Sequence, residues 1–222
     1  MVELDALEEG QWSRPSGLPG WTVAHVVAHL ALNAEAFCRV ASDCRESRLG
    51  VMYPGGPDAR AADIERLAGS SPAELIDRLT SAVGGFTDAY TPMPAGEFAG
   101  APDAPVADVA EVPLRRLREV EVHGADTGLG ELAMATWSDA YVDADLPVQW
   151  DTLARRTRQS LRVVDEYGKR WSIGDPVSEI RVDRRPLLAW ALDRCPGPAV
   201  PDVALPDLVP WGDQSRWLAA PD

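Results

Sequence analysis

The sequence predicts an α+β protein, with a helical domain over residues 1–132 followed by a small α+β domain over residues 133–222. Two observations support this division. Long segments with apolar residues at helical spacing fill the first part of the chain. After Gly130 the chain turns to short runs that favour β-structure, with helical segments between them, which is typical of a small mixed domain.

Four helical segments are expected in the first domain. Thr22 and Ser71 are residue types that cap helices, and Pro72 suits a first helical position. A Gly/Pro-rich loop at 50–60 precedes the second segment, and Asp108 resembles the start of a capping box. The segments run from Thr22 to about Arg45, over 62–69, over 70–90 and from near Asp108 to about Ala125.

Residues 1–20 are polar and rich in turn-forming residues, and they do not show the pattern of a full helix. The helix that follows is broadly apolar, so it needs cover on more than one side. We expect this cover to come from upstream residues, from a partner chain, or from the short segment itself.

The second domain should contain helices at its start and near its end, with short strands between them. The expected helices lie at 148–158 and 184–194, and the β-favouring runs at 160–167, 169–174 and 177–182. A turn near Gly168 should join the first two runs. The proline-punctuated stretch 195–218 is expected to be coil that packs through its Trp and Leu side chains.

Charge and cysteine content limit the partners and the compartment. The chain of 222 residues has a formal net charge of −14, so neither nucleic acid nor an anionic membrane is an expected partner. Its cysteines are odd in number and form no CxxC pair. No stretch approaches the roughly 18 apolar residues of a membrane span, and the start lacks a signal-peptide pattern. We expect a cytoplasmic protein.

The histidines indicate a metal site. His25 and His29 are four residues apart, as are Glu119 and His123, and residues at this spacing share a helical face. If the two helices pack together, His29, Glu119 and His123 supply two imidazoles and one carboxylate, which suits a zinc ion with an open fourth position. His25 could be a further ligand, a supporting donor or a packed side chain. The alternative is that these histidines are ordinary core residues with satisfied hydrogen bonds.

Four motifs then indicate a family. They are LPGWTVAHVVAHLALNAEAFC, MYPGGPDAR, REVEVHGAD and the late RWL. In this order they resemble the mycothiol-dependent maleylpyruvate isomerase family, part of the DinB-like group of metal-binding helical-bundle proteins. The resemblance implies a DinB-like bundle, here without the long first helix that the family usually has. It implies zinc ligands at His29, Glu119 and His123, and substrate carboxylates bound by Arg60 and Arg194.

The resemblance also implies a reaction with a thiol cosubstrate. Zinc would stabilise the thiolate of mycothiol, which adds to the cis double bond of maleylpyruvate. The resulting single bond rotates, and elimination of the thiol gives the trans isomer, fumarylpyruvate. Planar guanidinium groups suit a dianionic substrate because they bind carboxylates bidentately.

Two other functions remain open at this stage. The same scaffold could be a thiol S-transferase that acts on a different electrophile, or a metal- or ligand-binding protein without turnover. The pair Arg60 and Arg194 favours the isomerase, because neither alternative requires two carboxylate-binding residues. In each case the expected partners are small molecules, a dicarboxylate and a low-molecular-weight thiol, and an oligomer is possible.

Overall fold

The computed structural model describes residues 2–46, 50–91, 112–129, 134–157, 159–194, 205–206 and 208. It divides into two compact units, Met1–Ala133 and Met134–Asp222.

The N-terminal unit is helical, and one long helix lies at its centre. Its helices are α1 Val2–Asp5, α2 Glu9–Trp12, α3 Val23–Arg45, α4 Gly56–Ala68, α5 Pro72–Tyr90 and α6 Val112–Asp126. Helix α3 packs against α4, α5 and α6. Its N-cap is Thr22, as predicted. The predicted cap of α5 is also confirmed, since Ser71 Oγ accepts a hydrogen bond from the Glu74 N–H at 3.4 Å.

The predicted start of α4 was wrong. We expected loop through Arg60, but the helix begins at Gly56, so Arg60 lies on it. Gly55 and Gly56 have φ angles of 93° and 79°, a left-handed conformation that glycine adopts without strain. Pro57 follows in the first turn, where its missing N–H costs nothing. The predicted start of α6 near Asp108 lies outside the described residues.

The short N-terminal segment itself covers α3. Leu4 and Trp12 are buried in one apolar cluster with residues of α3, α4 and α5. The segment also forms hydrogen bonds with the C-terminal end of α6 and the residues after it. The Gly17 N–H donates to the Asp126 carbonyl at 2.7 Å, and Arg14 Nη2 donates to the Gly128 carbonyl at 3.1 Å. The short segment, one of the three expected sources of cover, therefore packs on α3 in the structure.

The C-terminal unit combines two helices with a small sheet. After a 3₁₀ turn at Met134–Thr136 its elements are α7 Asp139–Arg156, β1 Leu161–Val164, β2 Arg170–Ile173, β3 Ile180–Arg181 and α8 Arg184–Ala191. The strand order is β2-β1-β3, with β1 antiparallel to β2 and parallel to β3. The predicted turn near Gly168 is confirmed, with a φ angle of 80° at that glycine.

The predicted first helix of this unit was too short. We expected it over 148–158, but α7 begins at Asp139 and contains Pro147 in its interior. Proline usually interrupts a helix because it lacks the N–H and crowds the preceding turn. Here burial outweighs that cost, since Tyr141 and Leu146 are at most 1% exposed. Most of the expected coil at 195–218, including the RWL motif, lies outside the described residues; within them, Trp190 Nε1 donates to the Pro206 carbonyl at 3.1 Å.

Among the described residues, no helix combines the length and the apolar character that a membrane-crossing segment requires.

Covering of α3 by the N-terminal segment can be tested by mutation. Trp12→Ala should lower the free energy of unfolding by about 3–5 kcal/mol, because it removes a buried indole and leaves a cavity. Chemical denaturation followed by circular dichroism measures the change. Val83→Ala, at an exposed position of α5, should change it by less than about 0.5 kcal/mol. Equally small losses in both variants would show that α2 contributes no cover.

Candidate metal centre

The structure brings His29, Glu119 and His123 together between α3 and α6. His29 Nε2 lies 2.8 Å from Glu119 Oε2, and His123 Nε2 lies 3.4 Å from the same oxygen. The ligand atoms of all three residues lie within 4.8 Å of one another. Two helical faces that are distant in the sequence therefore converge on one point.

Burial and mutual contacts shift the pKa values of this cluster. Burial lowers the pKa of His29, although contact with Glu119 opposes this effect. Burial alone would raise the pKa of Glu119, but hydrogen bonds from His123 and His29 outweigh it and hold that pKa well below its ordinary value. Glu119 is therefore a carboxylate at neutral pH, which is the form that binds a cation.

His123 is oriented by a second carboxylate. Its Nδ1 donates a hydrogen bond to Asp126 Oδ2 at 2.8 Å, so the other ring nitrogen faces Glu119. The contacts with Asp126 and Glu119 outweigh the effect of burial and raise the pKa of His123. A carboxylate behind a histidine is the usual support of a metal-binding imidazole. Asp126 was not among the predicted site residues, although its i,i+3 spacing from His123 was a usable signal.

His25 lies outside the cluster and makes hydrogen-bond contacts elsewhere. Its Nδ1 accepts a hydrogen bond from the Thr22 N–H at 3.2 Å, which closes a capping box at the start of α3. Its Nε2 lies 3.2 Å from Glu65 Oε2. Both ring nitrogens are therefore engaged away from the cluster. The ring of Trp21 stacks against His25 and also lies near His29.

Arg60 reaches the opposite side of the His29 ring. Its Nη2 lies 3.0 Å from His29 Nδ1, and its Cζ lies 5.2 Å from the ring centroid of Tyr53. Because a guanidinium has no acceptor, Nδ1 must accept this hydrogen bond. The neutral ring then carries its hydrogen on Nε2 and donates it to Glu119. The structure thus brings Arg60 into contact with the cluster.

Arg194 belongs to the other unit and follows α8. Its backbone N–H donates to the Ala189 carbonyl at 2.8 Å, and its Nη1 donates to the Leu192 carbonyl at 3.2 Å. Its role toward the substrate stays a prediction.

The cluster fits a zinc ion. Zinc with ligand bonds of about 2.0–2.2 Å and tetrahedral geometry separates its ligand atoms by roughly 3.4 Å. The distance from Glu119 Oε2 to His123 Nε2, 3.4 Å, equals that value, and the distance to His29 Nε2, 2.8 Å, is that of a direct hydrogen bond. Two imidazoles and one carboxylate also match the donor set of catalytic zinc sites that keep one position open.

Comparison with known proteins identifies a family. The family described as "Mycothiol maleylpyruvate isomerase N-terminal domain" matches residues 3–128. No curated protein matches the sequence.

Solved structures share the fold. "Crystal structure of the mycothiol-dependent maleylpyruvate isomerase" has a TM-score of 0.70 at 20% sequence identity, covering 87% of this chain and 83% of the other. A structure of a histidine-to-alanine mutant of that isomerase has a TM-score of 0.68 at the same identity and coverage. The predicted α+β class and the predicted resemblance are both confirmed. Since the family match extends over more than half of the sequence, the chain belongs to the mycothiol maleylpyruvate isomerase N-terminal domain family.

Proposed function

We propose that this chain is a zinc-dependent cis-trans isomerase that converts maleylpyruvate into fumarylpyruvate in the cytoplasm, with mycothiol as thiol cosubstrate. The observation that carries this proposal is the cluster of His29, Glu119 and His123 with Arg60 beside it, in a member of this family. It combines a metal-binding donor set with a cation suited to an anionic substrate.

His29, Glu119 and His123 would hold the zinc ion through Nε2, a carboxylate oxygen and Nε2. When bound, zinc would supply positive charge that lowers the pKa of a thiol at its open position. Asp126 supports this arrangement by holding the His123 ring in the tautomer whose Nε2 lone pair is available.

Metal ligation would also change the role of Arg60. An imidazole that uses its Nε2 lone pair for a metal carries its hydrogen on Nδ1. His29 then no longer accepts the hydrogen bond from Arg60. The guanidinium of Arg60 becomes available for a substrate carboxylate, which it can bind bidentately. We propose that Arg194 binds the carboxylate at the other end of the substrate.

A spectrophotometric assay of purified, zinc-loaded protein tests the function. Maleylpyruvate should convert to fumarylpyruvate only when mycothiol is present, and the amount of free thiol should remain constant. Consumption of the thiol would indicate an S-transferase instead. A protein that binds metal and dicarboxylate but never turns over would be a binding protein of this family.

The proposed metal site predicts an order of zinc affinity among three variants. His29→Ala should abolish zinc binding, because it removes one of three ligands. Asp126→Ala should weaken zinc binding by about 10- to 100-fold, since it removes the support of His123. His25→Ala should bind zinc as the wild type does, because both of its ring nitrogens are engaged elsewhere. Metal analysis after dialysis and competition with a chelator measures the affinities.

His25→Ala serves as the matched control, because it removes a histidine from the same helix one turn away. Full zinc occupancy in His29→Ala, together with loss of zinc in His25→Ala, would contradict the assignment of ligands.

The arginines predict a loss of catalytic efficiency without a loss of metal. A hydrogen bond to a charged group contributes roughly 1.5–3 kcal/mol, so Arg60→Ala or Arg194→Ala should lower kcat/KM by about 10- to 150-fold. Bound zinc should stay unchanged. Arg60→Lys should remain well below the wild type, because lysine keeps the charge but loses the bidentate geometry. Normal turnover by both Ala variants at subsaturating maleylpyruvate would refute the role of these residues.

A further inference from the structure

A buried arginine lies one helical turn from the metal cluster. Arg116 is 5% exposed and lies on α6, three residues before Glu119. Its Nη1 donates to the Leu30 carbonyl at 3.0 Å and to Asn33 Oδ1 at 2.9 Å, both on α3. Positions 116, 119 and 123 form one stripe of α6 that faces His29 and Asn33 of α3.

The partners of Arg116 do not neutralise its charge. In the part of the chain that the structure describes, both of its partners are neutral oxygens, and they engage a single nitrogen, which leaves Nε and Nη2 for another acceptor. Buried charges are normally paired, because desolvation of an ion costs free energy. Burial accordingly lowers the pKa of Arg116 below its ordinary value. A neutral side-chain donor would be sufficient to connect α6 to α3 through hydrogen bonds to these two oxygens.

The surroundings of Arg116 connect it to the metal cluster. Glu119 and Tyr53 both interact electrostatically with its guanidinium. Tyr53 also lies against Arg60, which in turn contacts His29. In the described residues neither Arg60 nor Arg116 forms an ion pair with a carboxylate. Two guanidinium groups therefore lie near one tyrosine and one metal cluster, each with capacity to bind an anion.

We propose that Arg116 is a substrate-binding residue that binds one carboxylate of a dicarboxylate through Nε and Nη2, while Arg60 binds the other. This inference rests on the proposed function and adds a residue to its site. The N-terminal unit then contributes a guanidinium to each of the two carboxylate positions. An arriving carboxylate would neutralise a charge that is already buried, so little further desolvation of the protein is required.

Calorimetric titration of zinc-loaded protein with maleate, a stable cis dicarboxylate, tests the proposal. Arg116→Gln should weaken maleate binding by about 10- to 100-fold, because a charge-assisted bidentate contact is lost. The affinity for acrylate, which has one carboxylate, should hardly change. Asn33→Ala is the matched control, since it removes a partner of the same Nη1 and leaves the guanidinium in place; it should bind maleate nearly as the wild type does.

Wild-type maleate affinity in a folded, zinc-loaded Arg116→Gln variant would overturn the proposal. If that variant does not fold, a crystal structure of the wild type with maleate decides instead. A carboxylate within hydrogen-bond distance of Arg116 Nε or Nη2 supports the proposal, and both carboxylates bound elsewhere refute it.

The same measurements separate this proposal from the proposed function. A wild type that binds maleate through Arg116 but does not isomerise maleylpyruvate refutes only the function. If the wild type isomerises maleylpyruvate and Arg116→Gln changes neither the KM nor the maleate affinity, only the role of Arg116 is refuted.

Discussion

The N-terminal unit depends on one constraint, namely that polar side chains on a buried helix must find partners. Neighbouring helices cover α3, and two of its polar side chains, His29 and Asn33, are consequently only 3% and 2% exposed. Buried polar groups without hydrogen bonds are costly, so the facing helix has to supply partners. Helix α6 does so with Glu119 for His29 and Arg116 for Asn33. The packing of these helices and the assembly of the cluster are therefore the same event.

Much of the fold follows from local sequence signals. Thr22 and Ser71 mark helix starts because a cap acts within one turn, and the structure places both helices accordingly. One error arose where tertiary packing extends a helix, and another where a local signal can be interpreted in two ways. The helix expected from residue 148 extends back through Pro147 to Asp139, because the buried surface of α7 maintains it. The Gly-Gly-Pro run suggested a loop through Arg60, although the proline suits a first helical turn.

The site could be predicted only in part. Spacing placed His29 on one helical face and Glu119 with His123 on another, but only the resemblance indicated that the two faces meet. Asp126 lies on the same helix as His123, and its i,i+3 spacing could have indicated its contact. Arg116 was not assigned a role, because its contacts depend on which oxygens of α3 lie opposite. The role of His25 could not be resolved for the same reason, since it depends on the Thr22 N–H and on Glu65, which lies on another helix.

The contact between His29 and Glu119 joins residues that are 90 positions apart in the chain. A ligand that binds both acts as a reversible cross-link between α3 and α6, and it is lost when the helices separate. Its binding is thermodynamically linked to folding: a free ligand at one hundred times its dissociation constant adds about 2.7 kcal/mol to the stability of the folded state. With such a ligand the stability of this unit would depend on the ligand concentration, and unfolding measurements would be comparable only at equal occupancy of the site.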